Sequence, residues 1–164
     1  MKNSAFQDHY PEEISHCYGC GKNNPEGHQL KSYWQHIDEQ NLMASTTIAR
    51  CIPDKKYTAI PGFVYGGMIA SLIDCHGTGS ASAMAYLSQG RELGSLPAMR
   101  FVTGALNVNF LAPTPQDVEL TLIGHFSEIK ERKIIIDITL SANEVVCAKG
   151  QVIAVLMPES MTPK

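Results

Sequence analysis

Hydrophobic and polar residues change their spacing twice along the chain. Over residues 28–37 and 41–50 they alternate loosely, which predicts two β-strands joined by a polar turn. From about Tyr65 to Leu87 apolar residues recur every three to four positions, which predicts one long helix. Alternation then returns in four segments, which predict four further strands: 101–111, 118–126, 133–140 and 145–157.

The predicted helix is apolar on most of its surface. Residues at helical spacing form its main stripe: Met68, Leu72, Cys75, Gly79, Ala83 and Tyr86. Ile69 and Ile73 widen this stripe, and few charged residues lie on any face. Because a helix without a polar face is usually buried, we expect the sheet to wrap around it. One apolar helix followed by an antiparallel sheet is typical of an α+β fold.

The pattern predicts one domain with two short flanking segments. Residues 1–27 are polar and contain several prolines and glycines, which predicts a helical or irregular lead-in. The predicted domain covers residues 28–157, and residues 158–164 form a C-terminal tail. There are no internal repeats, and 164 residues suit a single domain with a real core.

Composition excludes several classes of protein. With 44% hydrophobic residues the chain is not a disordered one, and its net charge of −3 gives no electrostatic basis for binding nucleic acid. The N-terminus lacks the apolar core of a signal peptide, and no stretch is long and apolar enough to span a membrane. Five cysteines, an odd number without signs of secretion, argue against a disulfide framework. We therefore expect a reduced, cytoplasmic protein.

Candidate chemistry is concentrated at the start of the predicted helix. Gly66 and Gly67 open it, and Asp74 is a carboxylate inside it. The first turn of a helix has free N–H groups and partial positive charge, which suit a developing oxyanion. A carboxylate in an apolar helix loses hydration energy and needs a partner or a function. The pattern therefore indicates acyl transfer or hydrolysis, although a local hydrogen bond for Asp74 and close packing at the glycines are structural alternatives.

Three sequence runs resemble those of hotdog-fold acyl-CoA thioesterases of the phenylacetate-pathway (PaaI) type. They are Cys-Tyr-Gly-Cys-Gly-Lys-Asn-Asn-Pro-Glu-Gly at 17–27, the helix opening with its later carboxylate at 65–74, and Asn-Val-Asn-Phe-Leu-Ala-Pro-Thr-Pro at 107–115. The match covers roughly residues 16–157. It differs in Tyr65, where many relatives have histidine, and in Ala59, where some have asparagine.

The resemblance implies a hotdog fold and hydrolysis of an acyl-CoA thioester to a carboxylic acid and free coenzyme A. It implies that Asp74 is the catalytic carboxylate, and that the amide of Gly66 or Gly67 polarises the thioester carbonyl. Whether Asp74 attacks the carbonyl or activates water is left open. No cofactor is expected beyond the coenzyme A of the substrate.

The spacing of the two catalytic elements predicts a dimer. Asp74 follows Gly67 by seven residues, which is about 10–12 Å along a helix. Because one carbonyl cannot contact both groups of the same helix, we expect two antiparallel helices from two chains to share the site. The expected assembly is an obligate homodimer or a dimer of such dimers.

Further candidate contacts to the substrate are polar, basic or aromatic side chains: Tyr65, Thr78, Asn107, Asn109, Lys130, Arg132 and Lys133. Tyr65 is either a substrate contact or a packed aromatic residue. Thr78, one turn after Asp74, either bonds that carboxylate or a helix carbonyl. The two asparagines share a strand face and could contact the pantetheine arm or satisfy backbone groups. The basic turn could contact the phosphates of coenzyme A or be a solvated hairpin.

Two other functions remain open at this point. One is an acyl-CoA or acyl-carrier binding module without catalysis, since Tyr65 and Ala59 replace expected polar residues. The other is a hotdog dehydratase or hydratase, which normally needs a histidine base. His76 is the only candidate on the helix, and two residues after Asp74 it faces another side, which favours a buried core histidine.

The early cysteine pair raises the possibility of zinc. Cys17 and Cys20 form one CxxC, with histidines nearby, but a structural zinc site needs four ligands. The other cysteines are scattered, so no metal site is predicted. The segment is expected to pack as a lid near the site.

Overall fold

The computed structural model describes residues 4–164, and within that range one long helix and six strands are present. The helix, α1, spans Gly66–Ser88. The strands are β1 (Ser32–His36), β2 (Thr46–Cys51), β3 (Phe101–Phe110), β4 (Leu120–Lys130), β5 (Lys133–Ala142) and β6 (Val145–Leu156). The predicted order, two strands, a helix and four strands, is confirmed.

The six strands form one antiparallel sheet in the order β1-β2-β4-β5-β6-β3. Helix α1 packs against the sheet, with its largest contacts to β6 and β3. A long helix wrapped by such a sheet is the hotdog fold, so the predicted fold class is confirmed.

The helix is buried as its sequence predicts. Sixteen of its 23 residues are buried, including every member of the predicted apolar stripe. Two glycines let the helix approach β6 closely: a Cβ on Gly77 would lie 2.5 Å from Val152 Cγ2, and one on Gly150 would lie 2.5 Å from Ile73 Cγ2. Among the described residues, no helix has the length and apolar character needed to cross a bilayer.

The N-terminal segment, residues 4–31, is more deeply packed than its polar composition suggests. It contains two 3-10 turns, Phe6–His9 and Glu12–Ile14, and it buries Phe6, Tyr10 and Cys20. The predicted irregular lead-in is therefore part of the core, because a few widely spaced apolar residues reach it without any periodic pattern. Residues 1–3 of that predicted lead-in lie outside the described residues.

Several strand boundaries differ from the sequence prediction. The first strand begins at Ser32, four residues after its predicted start. The second strand begins at Thr46, because Leu42–Ala44 forms a 3-10 turn. The fourth strand runs from Leu120 to Lys130 and so extends past the predicted end at residue 126. Here the register shifts between Phe126 and Glu128, and this irregularity interrupts the alternation that the sequence pattern relies on.

His76 is a buried core histidine, as predicted. Its Nδ1 lies 3.0 Å from Ser32 Oγ and its Nε2 lies 3.2 Å from Thr47 Oγ1. Burial lowers the pKa of His76 from 6.5 to about 3, so the ring is neutral in the folded protein. Both ring nitrogens are engaged with hydroxyl groups, which leaves neither free to act as a base beside Asp74.

This histidine predicts a loss of stability in acid. The unfolded chain takes up a proton near pH 6.5 and the folded chain only near pH 3, so stability falls as the pH drops between these values. We expect the free energy of unfolding to fall by about 2 kcal/mol from pH 7 to pH 5 through this group. Urea unfolding at both pH values tests it. The His76→Gln protein should be less stable than the wild type at pH 7, but its free energy of unfolding should fall less between pH 7 and pH 5. Equal falls in both proteins would contradict this role of His76.

Candidate active site

The first turn of α1 presents free backbone amides. Tyr65 precedes the helix in an extended conformation, with φ −72° and ψ 150°, and its carbonyl accepts hydrogen bonds from the amides of Met68 and Ile69. Within residues 4–164, the amides of Gly66 and Gly67 donate no hydrogen bond to another group. They also lie at the positive end of the helix dipole. This turn can therefore donate hydrogen bonds to a carbonyl oxygen.

Aromatic rings flank the two glycines. A Cβ on Gly67 would lie 2.4 Å from Cε2 of Tyr65, and one on Gly66 would lie 3.2 Å from Cζ of Phe110. An apolar cleft of about 440 Å³ opens beside Gly66, with Ile69 and Leu111 in its lining. The absence of side chains at the glycines thus serves both the packing of the rings and access to the amides.

Asp74 is half-buried on α1 and is held by a hydrogen bond from Thr103 Oγ1 to its Oδ1. Thr103 precedes Gly104, where the register of β3 with β6 shifts. Such bulges change the direction of neighbouring side chains, and this one lies directly beside the threonine that holds the carboxylate.

The surroundings of Asp74 raise the pKa of its carboxyl group, so they favour the protonated form more than water does. Burial raises the pKa of the carboxyl above its usual value, and the hydrogen bond from Thr103 opposes that rise. The electrostatic interaction with Cys17 raises the pKa further, whereas the Arg100 guanidinium lowers it. A carboxylate with a raised pKa is more basic than a solvated one, which suits a base or a nucleophile.

The amides and the carboxylate are apart within one chain. Gly67 and Asp74 lie on the same continuous helix, and seven residues of helix correspond to about 10 Å. A single thioester carbonyl cannot contact both of these groups. The structure of one chain therefore shows both halves of a candidate site, without bringing them together.

The remaining helix and strand candidates have the following positions. The Thr78 hydroxyl donates to the backbone carbonyl of Asp74 at 3.2 Å, which is the second of its two predicted alternatives. Asn107 and Asn109 are exposed on one face of β3, where Asn109 Nδ2 donates to Asn107 Oδ1 at 3.1 Å. Tyr65 is partly exposed and lies against Gly67.

The basic turn between β4 and β5 lies at the end of the sheet opposite Gly66. Lys130 and Lys133 both form 2.7 Å ion pairs with Glu128. Arg132 accepts a backbone hydrogen bond from Leu156, the residue opposite the start of β3, whereas Gly66 lies near Phe110 at the end of β3. Within one chain, the structure does not bring this turn to the glycines.

One long edge of the sheet is uncovered. β3 pairs with β6 on one side, and no strand of the described residues pairs with its other side. Seven of its ten residues are exposed, including Leu106 and Phe110 at 39% and 56%. Native proteins protect long exposed edges that carry apolar side chains, so this edge is a candidate contact surface.

Two residues near Asp74 were missed by sequence reasoning. Thr103 is an ordinary strand residue in the sequence, and only the packing of β3 on α1 brings its hydroxyl to the carboxylate. Arg100 precedes the same strand, and its guanidinium lies 4.1 Å from the centre of the Tyr10 ring. Neither carries a local signal, because each contact joins segments that are distant in sequence.

Comparison with known proteins agrees with this architecture. The model of the thioesterase superfamily matches residues 61–149, which contain the helix and both halves of the site. A thioesterase superfamily protein from Shewanella loihica PV-4 is 47% identical, covers 91% of this chain and 100% of its own, and superposes with a TM-score of 0.64. The chain therefore belongs to the thioesterase superfamily.

More distant solved structures share the fold. A Streptococcus mutans UA159 protein with bound acetyl-CoA is 15% identical, with 76% of this chain and 86% of that one covered and a TM-score of 0.55. The E. coli PaaI protein of the phenylacetic acid degradation operon is 13% identical, with 69% and 73% covered and a TM-score of 0.57. Among curated proteins, no sequence matches significantly.

Proposed function

We propose that this protein hydrolyses acyl-CoA thioesters to a carboxylic acid and free coenzyme A. The observation that carries the proposal is Asp74, a half-buried carboxylate held by Thr103 on a helix whose first turn has free amides, in a member of the thioesterase superfamily. The acetyl-CoA in the Streptococcus mutans structure supports coenzyme A thioesters as the substrate class. No cofactor takes part in the reaction.

The proposed reaction uses the two elements in different ways. An amide of Gly66 or Gly67 donates a hydrogen bond to the carbonyl oxygen and stabilises the negative charge of the tetrahedral intermediate. Asp74 either attacks the carbonyl carbon, giving an anhydride that water then hydrolyses, or removes a proton from the attacking water. In both cases the carbon–sulfur bond breaks and coenzyme A leaves as the thiol.

The proposed catalytic unit is a homodimer. Two antiparallel helices would place the amides of one chain beside Asp74 of the other, which removes the separation of about 10 Å within one helix. The uncovered edge of β3, with its exposed Leu106 and Phe110, supports pairing of the two sheets at this strand. Such dimers could further associate in pairs, as expected from the sequence.

The dimer also gives the basic turn a role. Since the turn lies at the end of the sheet opposite Gly66, antiparallel pairing brings it towards the Gly66 end of the partner. Arg132, which has no ion-pair partner among residues 4–164, would then contact the phosphates of coenzyme A together with Lys130 and Lys133. Tyr65, Asn107 and Asn109 would line the path of the acyl group and the pantetheine arm, whereas Thr78 is buried and its hydroxyl bonds the helix backbone.

We extend the proposal to the phenylacetate-pathway (PaaI) type and to a cytoplasmic setting. The PaaI type is proposed from the three sequence runs at 17–27, 65–74 and 107–115. The E. coli PaaI structure, at 13% identity, supports the fold alone. The five free cysteines support a reducing compartment.

Release of free thiol from a panel of short, medium, long and aromatic acyl-CoAs tests the proposal. We expect turnover of at least one class, with one free thiol formed per carboxylic acid. Tight binding of acyl-CoA without any turnover would instead favour a non-catalytic acyl-CoA or acyl-carrier binding protein. Hydration or dehydration of the acyl chain is disfavoured, because His76 is buried away from Asp74.

The hydrogen bond from Thr103 predicts a shift in the pH profile. Asp74 acts as the carboxylate, so kcat should fall as the pH drops through its raised pKa. Removing the hydroxyl in Thr103→Val removes an interaction that lowers this pKa, so the acid limb should move to higher pH. Thr103→Ser keeps the hydroxyl and should leave the limb in place. An unchanged limb in Thr103→Val would show that this contact does not act on the titrating group.

A further inference from the structure

Three cysteines that are distant in sequence meet beside Asp74. Cys17 and Cys20 belong to the N-terminal segment and Cys75 belongs to α1. The three Sγ atoms lie within 4.8 Å of one another, and the distance from Cys17 Sγ to Cys75 Sγ is 3.8 Å. Cys20 and Cys75 are buried, Cys17 is exposed, and none of them forms a disulfide. The cluster is thus closed towards the core and open on the side of Cys17.

The separation of the sulfurs fits coordination to a metal ion. Tetrahedral zinc binds sulfur at about 2.3 Å, which places two such ligands about 3.8 Å apart. A disulfide would instead require two sulfurs at about 2.05 Å. The distance from Cys17 to Cys75 therefore matches that of two thiolates on one ion, and the sulfur of Cys20 lies within 4.8 Å of both.

The loop that carries Cys17 and Cys20 is shaped around these sulfurs. Hydrogen bonds from the thiols of Cys20 and Cys75 contribute most to the lowered pKa of the Cys17 thiol, and the amides of Cys20 and Gly19 lower it further. A Cβ on Gly19 would lie 2.2 Å from Cys75 Sγ, and one on Gly21 would lie 2.4 Å from the carbonyl oxygen of Ser15. Any side chain at residue 19 would therefore collide with the cluster.

A guanidinium that forms no ion pair among the described residues lies near the cluster. The Arg100 guanidinium donates to Tyr10 and to the carbonyl of Phe101, and it forms no ion pair with a carboxylate of the described residues. Its charge acts on the sulfurs of Cys17, Cys20 and Cys75. A divalent ion with three thiolates carries one net negative charge, which this guanidinium would balance.

We propose that Cys17, Cys20 and Cys75 together bind one zinc ion, with water as the fourth ligand on the exposed side of Cys17. A site with three protein ligands and one water is an established zinc geometry. The single CxxC in the sequence argued against zinc, and the fold adds the third sulfur from α1. The ion ties the N-terminal segment to the helix at the residue next to Asp74, and its presence does not depend on the proposed hydrolysis.

Metal analysis and cobalt titration of the full-length protein test this site. The protein is purified without chelators under a phosphine reductant, and its zinc content is measured. The ion is then removed anaerobically and replaced by Co²⁺. We expect one zinc per chain, and with cobalt one equivalent of a thiolate-to-metal charge-transfer band and the visible bands of a tetrahedral site. Absence of both the zinc and the cobalt bands would overturn the proposal.

Cysteine variants assign the ligands. Cys17→Ser, at the exposed position, should weaken Co²⁺ binding by at least about 100-fold, since even groups that only support metal ligands change affinity 10- to 100-fold. Cys75→Ser should do the same where it folds. Cys51→Ser and Cys147→Ala, outside the cluster, are the controls and should leave the titration unchanged. Equal cobalt binding by Cys17→Ser and Cys51→Ser, or a disulfide between cluster cysteines in the reduced, metal-free preparation, would contradict the site.

Discussion

Replacing Asp74 by asparagine is expected to lower kcat for acyl-CoA hydrolysis by about 10²- to 10⁴-fold. Asparagine keeps the size of the side chain and an oxygen that accepts the hydrogen bond from Thr103. It removes the negative charge, so it can neither attack the carbonyl nor take a proton from water. The loss should therefore appear in kcat for every acyl-CoA that the wild type hydrolyses, with little change in KM.

A matched control separates chemistry from folding. Asp137 is an exposed aspartate on β5 whose Oδ1 accepts a hydrogen bond from Gln151 at 2.8 Å, and it lies outside the proposed site. Asp137→Asn makes the same chemical change and should retain wild-type kcat. Both variants should keep the wild-type circular dichroism spectrum and oligomeric state. Full activity in a folded Asp74→Asn protein would end the proposed mechanism.

Mixing two inactive variants is expected to restore about one quarter of the wild-type activity. Asp74→Asn lacks the carboxylate. Gly67→Val covers the first turn, where an added Cβ already lies 2.4 Å from the Tyr65 ring. In a mixed dimer with shared sites, one site combines an intact Gly67 from the first chain with an intact Asp74 from the second. Random mixing makes about half of the dimers mixed, and one of the two sites in each is intact.

The same mixture distinguishes a shared site from one within a chain. If each chain used its own Gly67 and Asp74, every site in the mixture would carry one lesion and no activity would return. Different affinity tags on the two variants allow the mixed dimer to be isolated and its amount measured. Each variant mixed with itself is the control. Isolated mixed dimers without activity would show that the site is not shared in this way.

The sequence predicts the fold well because its periodicities are strong. The apolar spacing of α1 and the alternation of the later strands each depend on residues close together in the chain. The boundaries were less accurate at residues 41–46 and beyond 126, where a 3-10 turn and an irregular register replace regular strand. The N-terminal segment gave no periodic signal, although it buries Phe6 and Cys20.

In the candidate site, too, the sequence predicts the groups that belong to one local run and misses the contacts between distant segments. Gly66, Gly67 and Asp74 were found because they belong to one helical run with an unusual composition. The contact of Thr103 with Asp74 and the approach of Cys75 to Cys17 depend on packing between distant segments. In the sequence, Cys75 is simply one more member of the apolar stripe. Sequence spacing therefore predicts the groups on the helix, and only the fold shows what surrounds them.

A crystal structure with an inert substrate analogue would show directly which chain supplies the amide and which supplies the carboxylate of each site. In the analogue a methylene group replaces the thioester sulfur, so the carbonyl is retained and hydrolysis is blocked. We expect the carbonyl oxygen to lie within hydrogen-bonding distance of the Gly66 or Gly67 amide of one chain, with the Asp74 carboxylate of its partner near the carbonyl carbon or its attacking water. A carbonyl bound away from those amides, or with no Asp74 of either chain nearby, would contradict this expectation.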